Sequence, residues 1–140
     1  MLEKSEKEAS KIELEKNINL EKLEEEQKKL SKLVVLKDDF NFNIAENFTG
    51  IVTKSFRNKI LAVAVTLRKV SETLVSNLEI VETAYAIKKS NFPYIAGYRA
   101  YRELSSILEA YNKLEENVDV VFVEGHGVSH PRYFGIASHL

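Results

Sequence analysis

Glu103 and Glu124 are the two residues whose type and expected placement best suit chemistry. A pair of carboxylates can hold a hard cation such as Mg²⁺, which takes oxygen ligands and can then polarise a phosphoryl oxygen or activate water. Topology would bring them together. Glu103 falls in the second turn of an expected helix, and Glu124 ends the strand that follows it. In a strand–helix–strand crossover the helix runs back antiparallel to the strands. Its first turns therefore lie beside the end of the next strand, at the sheet edge where ligands usually bind in α/β folds. The same spacing allows a plainer outcome, an ion pair between Glu103 and Arg99 or Arg102 on the helix surface.

Further candidates surround this pair. His126 and His130 stand four apart, but a zinc site wants three or four ligands in fixed geometry, and the chain has no cysteine. Pro131 suits the first turn of a helix. A helix begun there would aim backbone N–H groups and a positive dipole end at an anion, with Arg132 beside it to hold a phosphate. In "FPYIAG", Phe92 and Tyr94 flank Pro93 on a short stiff loop that Gly97 releases. Two aromatics so placed can stack on or wedge between nucleobases, or they can fill a core.

The elements that must position these residues follow from patterning. "FTGIVTKSF" and "KILAVAVTLRKV" are rich in β-branched residues and joined by Arg57-Asn58, which predicts an antiparallel hairpin near 48–56 and 59–69. "NLEIVETAYAIKK" alternates with period two, slips phase between Ile80 and Thr83, and predicts a third strand near 76–88. Tyr101, Leu104, Leu108 and Tyr111 recur at helical spacing, giving a helix near 98–116. "VDVVFVE" is apolar on both faces and reads as a fully buried parallel strand near 118–124, beside the first strand. Three meandering strands, a helix and a parallel strand make an α/β fold, a mixed sheet with flanking helices.

Composition sets the outer bounds. The chain has 140 residues, 44% of them hydrophobic, and a formal charge of −1. That is one domain's worth of core, without a global field to draw nucleic acid or membrane, so such binding must use local patches. No cysteine excludes disulfides and thiolate chemistry. No apolar run approaches the roughly 20 residues of a membrane span, and a signal-peptide core is missing, so a soluble, cytoplasmic protein with no membrane partner is expected. Residues 1–32 form a separate, Lys/Glu-rich helical extension ahead of a domain at 33–140. Leu2, Ala9, Leu23 and Leu30 share a heptad phase that Lys16 interrupts, so a solvated helix or a weak coiled-coil seam are the two readings.

Two segments carry a family resemblance. "FPYIAGYRAYRE" resembles the pattern PYIPG followed by FRE, and "VFVEGHGVSHPRYFGIASHL" resembles V-D-G-x-G-x-x-H-P-R-x-x-G-x-A-S-H. Both patterns belong to the endonuclease V (deoxyinosine 3′ endonuclease) family. The resemblance runs from about Phe48 to Leu140 and leaves residues 1–32 aside. It implies a ribonuclease H-like fold and Mg²⁺-dependent DNA-repair hydrolysis of a phosphodiester 3′ to a deaminated base such as inosine, in DNA or RNA. Glu103 is similar to the family's catalytic glutamate, and Glu124 stands where the family has a metal-binding aspartate. These two are therefore the implied catalytic and metal residues. Tyr94 corresponds to a wedge tyrosine that enters the helix as the base flips out. The implied substrate-binding set adds Pro93, Ile95 and Gly97 of its loop, the Gly125–Gly127 turn near a base pocket, and His130 and Arg132.

The departures from the pattern are as informative. Glu124 carries its carboxylate one methylene further out than aspartate, and Ala96 replaces the loop's second proline. Val52 stands at the position of the family's principal metal aspartate, with no acid between Glu46 and Glu72 to substitute for it. The resemblance also covers only the family's N-terminal half, so an open sheet edge and an uncovered face of Val120–Val123 are expected. Three outcomes follow: a nuclease active as it stands, an impaired or non-catalytic relative that retains nucleic-acid binding, or one half of a split enzyme completed by a second chain.

Overall fold

The computed structural model describes residues 18–37, 40–70 and 78–140. Strand β1 (Asn47–Phe56) turns at Arg57-Asn58 into β2 (Lys59–Lys69), and Arg57 takes a left-handed φ of 56° to close the hairpin. The two strands pair antiparallel from Asn47↔Arg68 to Phe56↔Lys59. Strand β3 (Leu78–Lys89) pairs antiparallel with β2, with a register shift at Thr66/Leu67: Glu82 faces Thr66 while Ile80 faces Leu67. Val81 is thus the extra residue of a bulge, which is the physical origin of the phase slip in the sequence.

Strand β4 (Val120–Val123) lies beside β1 and parallel to it, from Phe48↔Val120 to Ile51↔Val123, and the sheet order is β3-β2-β1-β4. This is the mixed sheet the sequence predicts. Between β3 and β4 runs α2 (Arg99–Tyr111), preceded in the chain by α1 (Leu20–Ser31). Helix α2 covers one face of the sheet. Its Ala100, Ile107 and Ala110 pack on Ile51, Ala62, Ala64 and Ala86 in one buried cluster. Alanines on two adjacent strands let the helix approach closely, and the Ser106 hydroxyl donates to the Ile60 carbonyl at 3.2 Å.

Several expectations need correction. Helix α2 ends at Tyr111, not near 116, and turns carry the chain on to β4. Among the described residues β4 is the edge strand of the sheet, half-buried with Phe122 exposed, rather than a fully buried central one. The sequence also predicts an open edge and an uncovered face here, and among the described residues the outer edge of β4 is unpaired and Phe122 is exposed. No helix starts at Pro131. Residues 128–133 make turns, Tyr133 has φ 56°, and the next element is a 3₁₀ turn at Ile136–His139.

Of the charged extension, Leu2, Ala9 and Lys16 lie outside the described residues. The Asn19 side chain caps α1 by accepting the Lys22 N–H at 2.9 Å. Lys and Glu occupy its outer faces, but one row docks: Leu23 and Leu30 are half-buried, and Gln27 between them is 1% exposed.

Candidate functional site

One backbone carbonyl of the aromatic loop gathers three side-chain donors. Gly97 O accepts from Gln27 Nε2 at 3.1 Å, His130 Nε2 at 3.0 Å and Arg132 Nη2 at 2.6 Å. Gly97 itself sits at φ 82°, where a side chain would be strained and would press on Arg132. Arg132 also donates through Nε to Gln27 Oε1 at 2.6 Å and stacks 4.5 Å over the Tyr98 ring. His130 and Arg132, read from the sequence as substrate or phosphate ligands, therefore position this loop from within. Without the helix expected at Pro131 there is also no helix N-terminus for a phosphate beside Arg132.

The two loop aromatics part company. Phe92 packs against Tyr101, ring centroids 5.9 Å apart, whereas Tyr94 is 66% exposed. Pro93 is buried between them, and Ile95 O closes a turn with the Tyr98 N–H at 3.0 Å. Arg102 ties the loop down, donating to Phe92 O and, at 3.0 Å, to Arg57 O in the hairpin turn. Beside Tyr94 opens a cleft of about 260 Å³ whose walls include Gly97, Arg99, His126, His130 and Ile136.

Glu103 projects from α2 towards β1 and is 4% exposed. Its Oε2 accepts from Arg99 Nε at 2.8 Å and from Thr53 Oγ1 at 2.5 Å, while Arg99 Nη2 donates to Thr53 Oγ1 at 2.9 Å. The plainer reading of Glu103, a pair with Arg99, is the geometry present, but buried rather than on the surface. Arg102 pairs elsewhere.

Glu124 follows β4, its N–H donating to Ile51 O at 3.0 Å. It is exposed and shares a groove with Val52, Thr53, Lys54, Leu61 and Val63. Val52 is 52% exposed, with its neighbour Ile51 buried under α2, so Val52 belongs to the uncovered face. Thr53 is the meeting point: one of its neighbours is Glu103, and it lines the groove of Glu124. Glu103 itself is not among the residues that line the groove of Glu124.

Gly125 (φ 145°) needs its bare α-carbon for internal packing, because a Cβ there would run into Ile136 Cγ2 and stand 3.2 Å from Arg99 Nη1. Gly127 is the open position of the turn, where a Cβ would meet only Ser138 and Ala137 at ordinary contact distances.

These residues do not fit a divalent metal. Octahedral Mg²⁺ wants several oxygen ligands at short range. Among the described residues no three His, Cys, Asp or Glu side chains converge, Val52 offers no ligand, and Glu103 is already engaged by a cationic donor. Sequence reasoning missed Gln27 and Thr53. Gln27 left a signal, a polar residue at the i+4 place in the row Leu23–Gln27–Leu30; Thr53 left none.

The sequence pattern of the endonuclease V family matches residues 28–140, beginning inside α1 and so earlier than Phe48. Endonuclease V of Thermosipho melanesiensis is 43% identical over 121 residues, covering 86% of this chain and 49% of that protein. That of Petrotoga mobilis is 40% identical over 114 residues, covering 81% and 48%. The crystal structure of endonuclease V from Streptomyces avermitilis matches with a TM-score of 0.76 at 31% identity, over 86% of this chain and 51% of that one. Endonuclease V of Ciona intestinalis, solved in complex with a 24mer DNA containing an inosine followed by a ribo-adenosine, shares the fold at a TM-score of 0.71 and 21% identity, over 86% and 52%. The chain spans about half the length of the curated relatives it matches. On a match over residues 28–140, with the mixed sheet in common, the chain belongs to the endonuclease V family.

Proposed function

We propose that this cytoplasmic chain binds nucleic acid containing a deaminated base such as inosine, DNA or RNA, and that it is impaired in Mg²⁺-dependent hydrolysis as it stands. The observation that carries this reading is Tyr94, exposed at the rim of the cleft on a loop locked through Gly97. A stiff loop keeps its tyrosine from collapsing onto the protein, so the ring can take the place of a base that has left the stack. The adjoining cleft offers His126 and backbone near Gly97 to the displaced base. By the family resemblance Glu124 and Glu103 would be the carboxylates to hold a cation, but the fit is poor. The test is fluorescence anisotropy of an inosine-containing duplex against a matched one. Tyr94→Ala should weaken binding of the inosine duplex about tenfold or more, in keeping with stacking of roughly 1–3 kcal/mol per base. Equal affinity of the variant and the parent for both duplexes would reject the proposal.

A specific observation also favours completion by a second chain. Val52, Tyr85, Ile87 and Phe122 are exposed large apolar side chains of the sheet, and the outer edge of β4 is unpaired among the described residues. Exposed apolar patches and free strand edges of this kind mark interaction surfaces. Co-expression with a polypeptide matching the remaining half of the Thermosipho protein should give a one-to-one complex by sedimentation. Independent sedimentation of the two would remove this reading.

A further inference from the structure

We infer that the guanidinium of Arg99 is the built-in counter-ion of Glu103, standing in the space where the family resemblance would put a divalent cation. The inference does not depend on nucleic-acid binding.

Three contacts define the position. Arg99 Nε meets Glu103 Oε2, Nη2 meets Thr53 Oγ1, and the Thr53 hydroxyl donates to the same Glu103 oxygen, closing a three-membered ring of hydrogen bonds. On its other side Arg99 Nη1 reaches towards Gly125, in the turn that begins at Glu124, and stands 3.2 Å from where a Cβ on that glycine would lie. The positive charge thus lies between the start of α2 and the end of β4, the two elements that carry the candidate metal carboxylates.

Helix energetics alone would not put arginine there. Arg99 is the first residue of α2, where the helix dipole disfavours cations, and Tyr98 supplies no side-chain cap. An i,i+4 pair with the cation on the N-terminal side is also the less favourable orientation. What outweighs both is Glu103. Its side chain is only 5% exposed, and a buried carboxylate without a partner is expensive in a low-dielectric setting. Arg99, 31% exposed in its side chain, keeps part of its fork in water and gives the rest to Glu103 and Thr53. With a fixed cation covalently present, a divalent ion would gain no neutralisation at Glu103 and would meet like-charge repulsion.

The experiment is thermal unfolding of the parent chain, Arg99→Leu, Glu103→Gln and the double variant, each in chelator, in Mg²⁺ and in Mn²⁺. The parent should unfold at one temperature in all three. Arg99→Leu should fall by on the order of 10 °C through an uncompensated buried carboxylate, and the double variant should recover part of that loss. Should Arg99→Leu not fold, the exchange rate of the Arg99 Nε–H in the parent decides the matter by NMR. Protection that is lost in Glu103→Gln supports the assignment. Additive losses, an Arg99 Nε–H that exchanges as a free side chain does, or a metal-dependent rise in the parent abolished by Glu103→Gln would overturn it.

Discussion

The side-chain amide of Gln27 donates to the carbonyl of Gly97 across 70 positions of sequence, and so fastens α1 to the loop that presents Tyr94. The same side chain gives its oxygen to Arg132 Nε and its other proton to Phe134 O at 3.4 Å. A residue so buried that serves three partners cannot be removed without leaving polar groups unpaired. Gln27→Leu should lower unfolding free energy by about 2 kcal/mol, mostly because Arg132 loses its acceptor. Urea titration measures this, with an unchanged slope indicating that the fold is retained. If residues 1–32 were a dispensable extension, their deletion would be silent. We expect it to destabilise the chain at least as much as the substitution.

Local pattern made most of the sheet legible in the sequence, because strand type, hairpin and crossover each leave a short-range signature. The bulge at Val81 is written as a phase slip, and the place of β4 beside β1 follows from crossover topology. The site was harder to read. Glu103, Glu124 and Val52 can be named from family motifs, yet their faces depend on long-range packing. Thr53 becomes a partner of Glu103 only because α2 lies over β1. His130-Pro131-Arg132 has the local marks of a helix start. It makes turns instead, since His130 and Arg132 are drawn inward to Gly97.

His130 makes the Gly97 anchor sensitive to acid. Its Nε2 donates to Gly97 O, and its Nδ1 accepts the Arg132 N–H at 3.2 Å, so the neutral ring satisfies both. A proton on Nδ1 would oppose a donor. Burial holds His130 below its ordinary 6.5; the Gly97 carbonyl works the other way, and Arg132 adds to the depression. Burial also lowers His139. A histidine depressed in the folded state binds fewer protons folded than unfolded. Its stabilising contribution is full above 6.5 and declines as pH falls through that value towards the lower folded one. Thermal unfolding scanned from about pH 8 to 5 should be flat at first and then fall, with a shallower fall in His130→Gln. An identical slope in the variant would transfer the effect to His139.

The glycines of the turn after β4 should differ in their tolerance. A Cβ on Gly125 would strike Ile136 at φ 145°, and one on Gly135 would strike the carbonyl of His126, a backbone atom that cannot swing away. Gly125→Ala and Gly135→Ala should each cost about 2–4 kcal/mol. Gly127→Ala should stay within about 1 kcal/mol, since its surroundings have room. Chemical denaturation of the three variants orders them, and a Gly127 variant as damaged as the others would contradict the packing described.

Restoring an acid at Val52 should not by itself restore hydrolysis. Val52 opens into the groove that holds Glu124, on the face away from α2, so an acid there would add a second carboxylate near the first. Glu103 would remain bound to Thr53 and Arg99. Each missing group that stabilises transition-state charge costs a factor of about 10²–10³, and supplying one of several leaves the rest of that deficit in place. Nicking of inosine-containing and matched duplex, with Mg²⁺ and with chelator, should therefore stay at background for both the parent and Val52→Asp. Combining Val52→Asp with Arg99→Leu removes the competing cation, and any gain in chelator-sensitive nicking should first appear there and vanish again with Glu103→Gln. Robust inosine-specific nicking by Val52→Asp alone would mean that Arg99 yields Glu103 readily and that the valine was the whole defect.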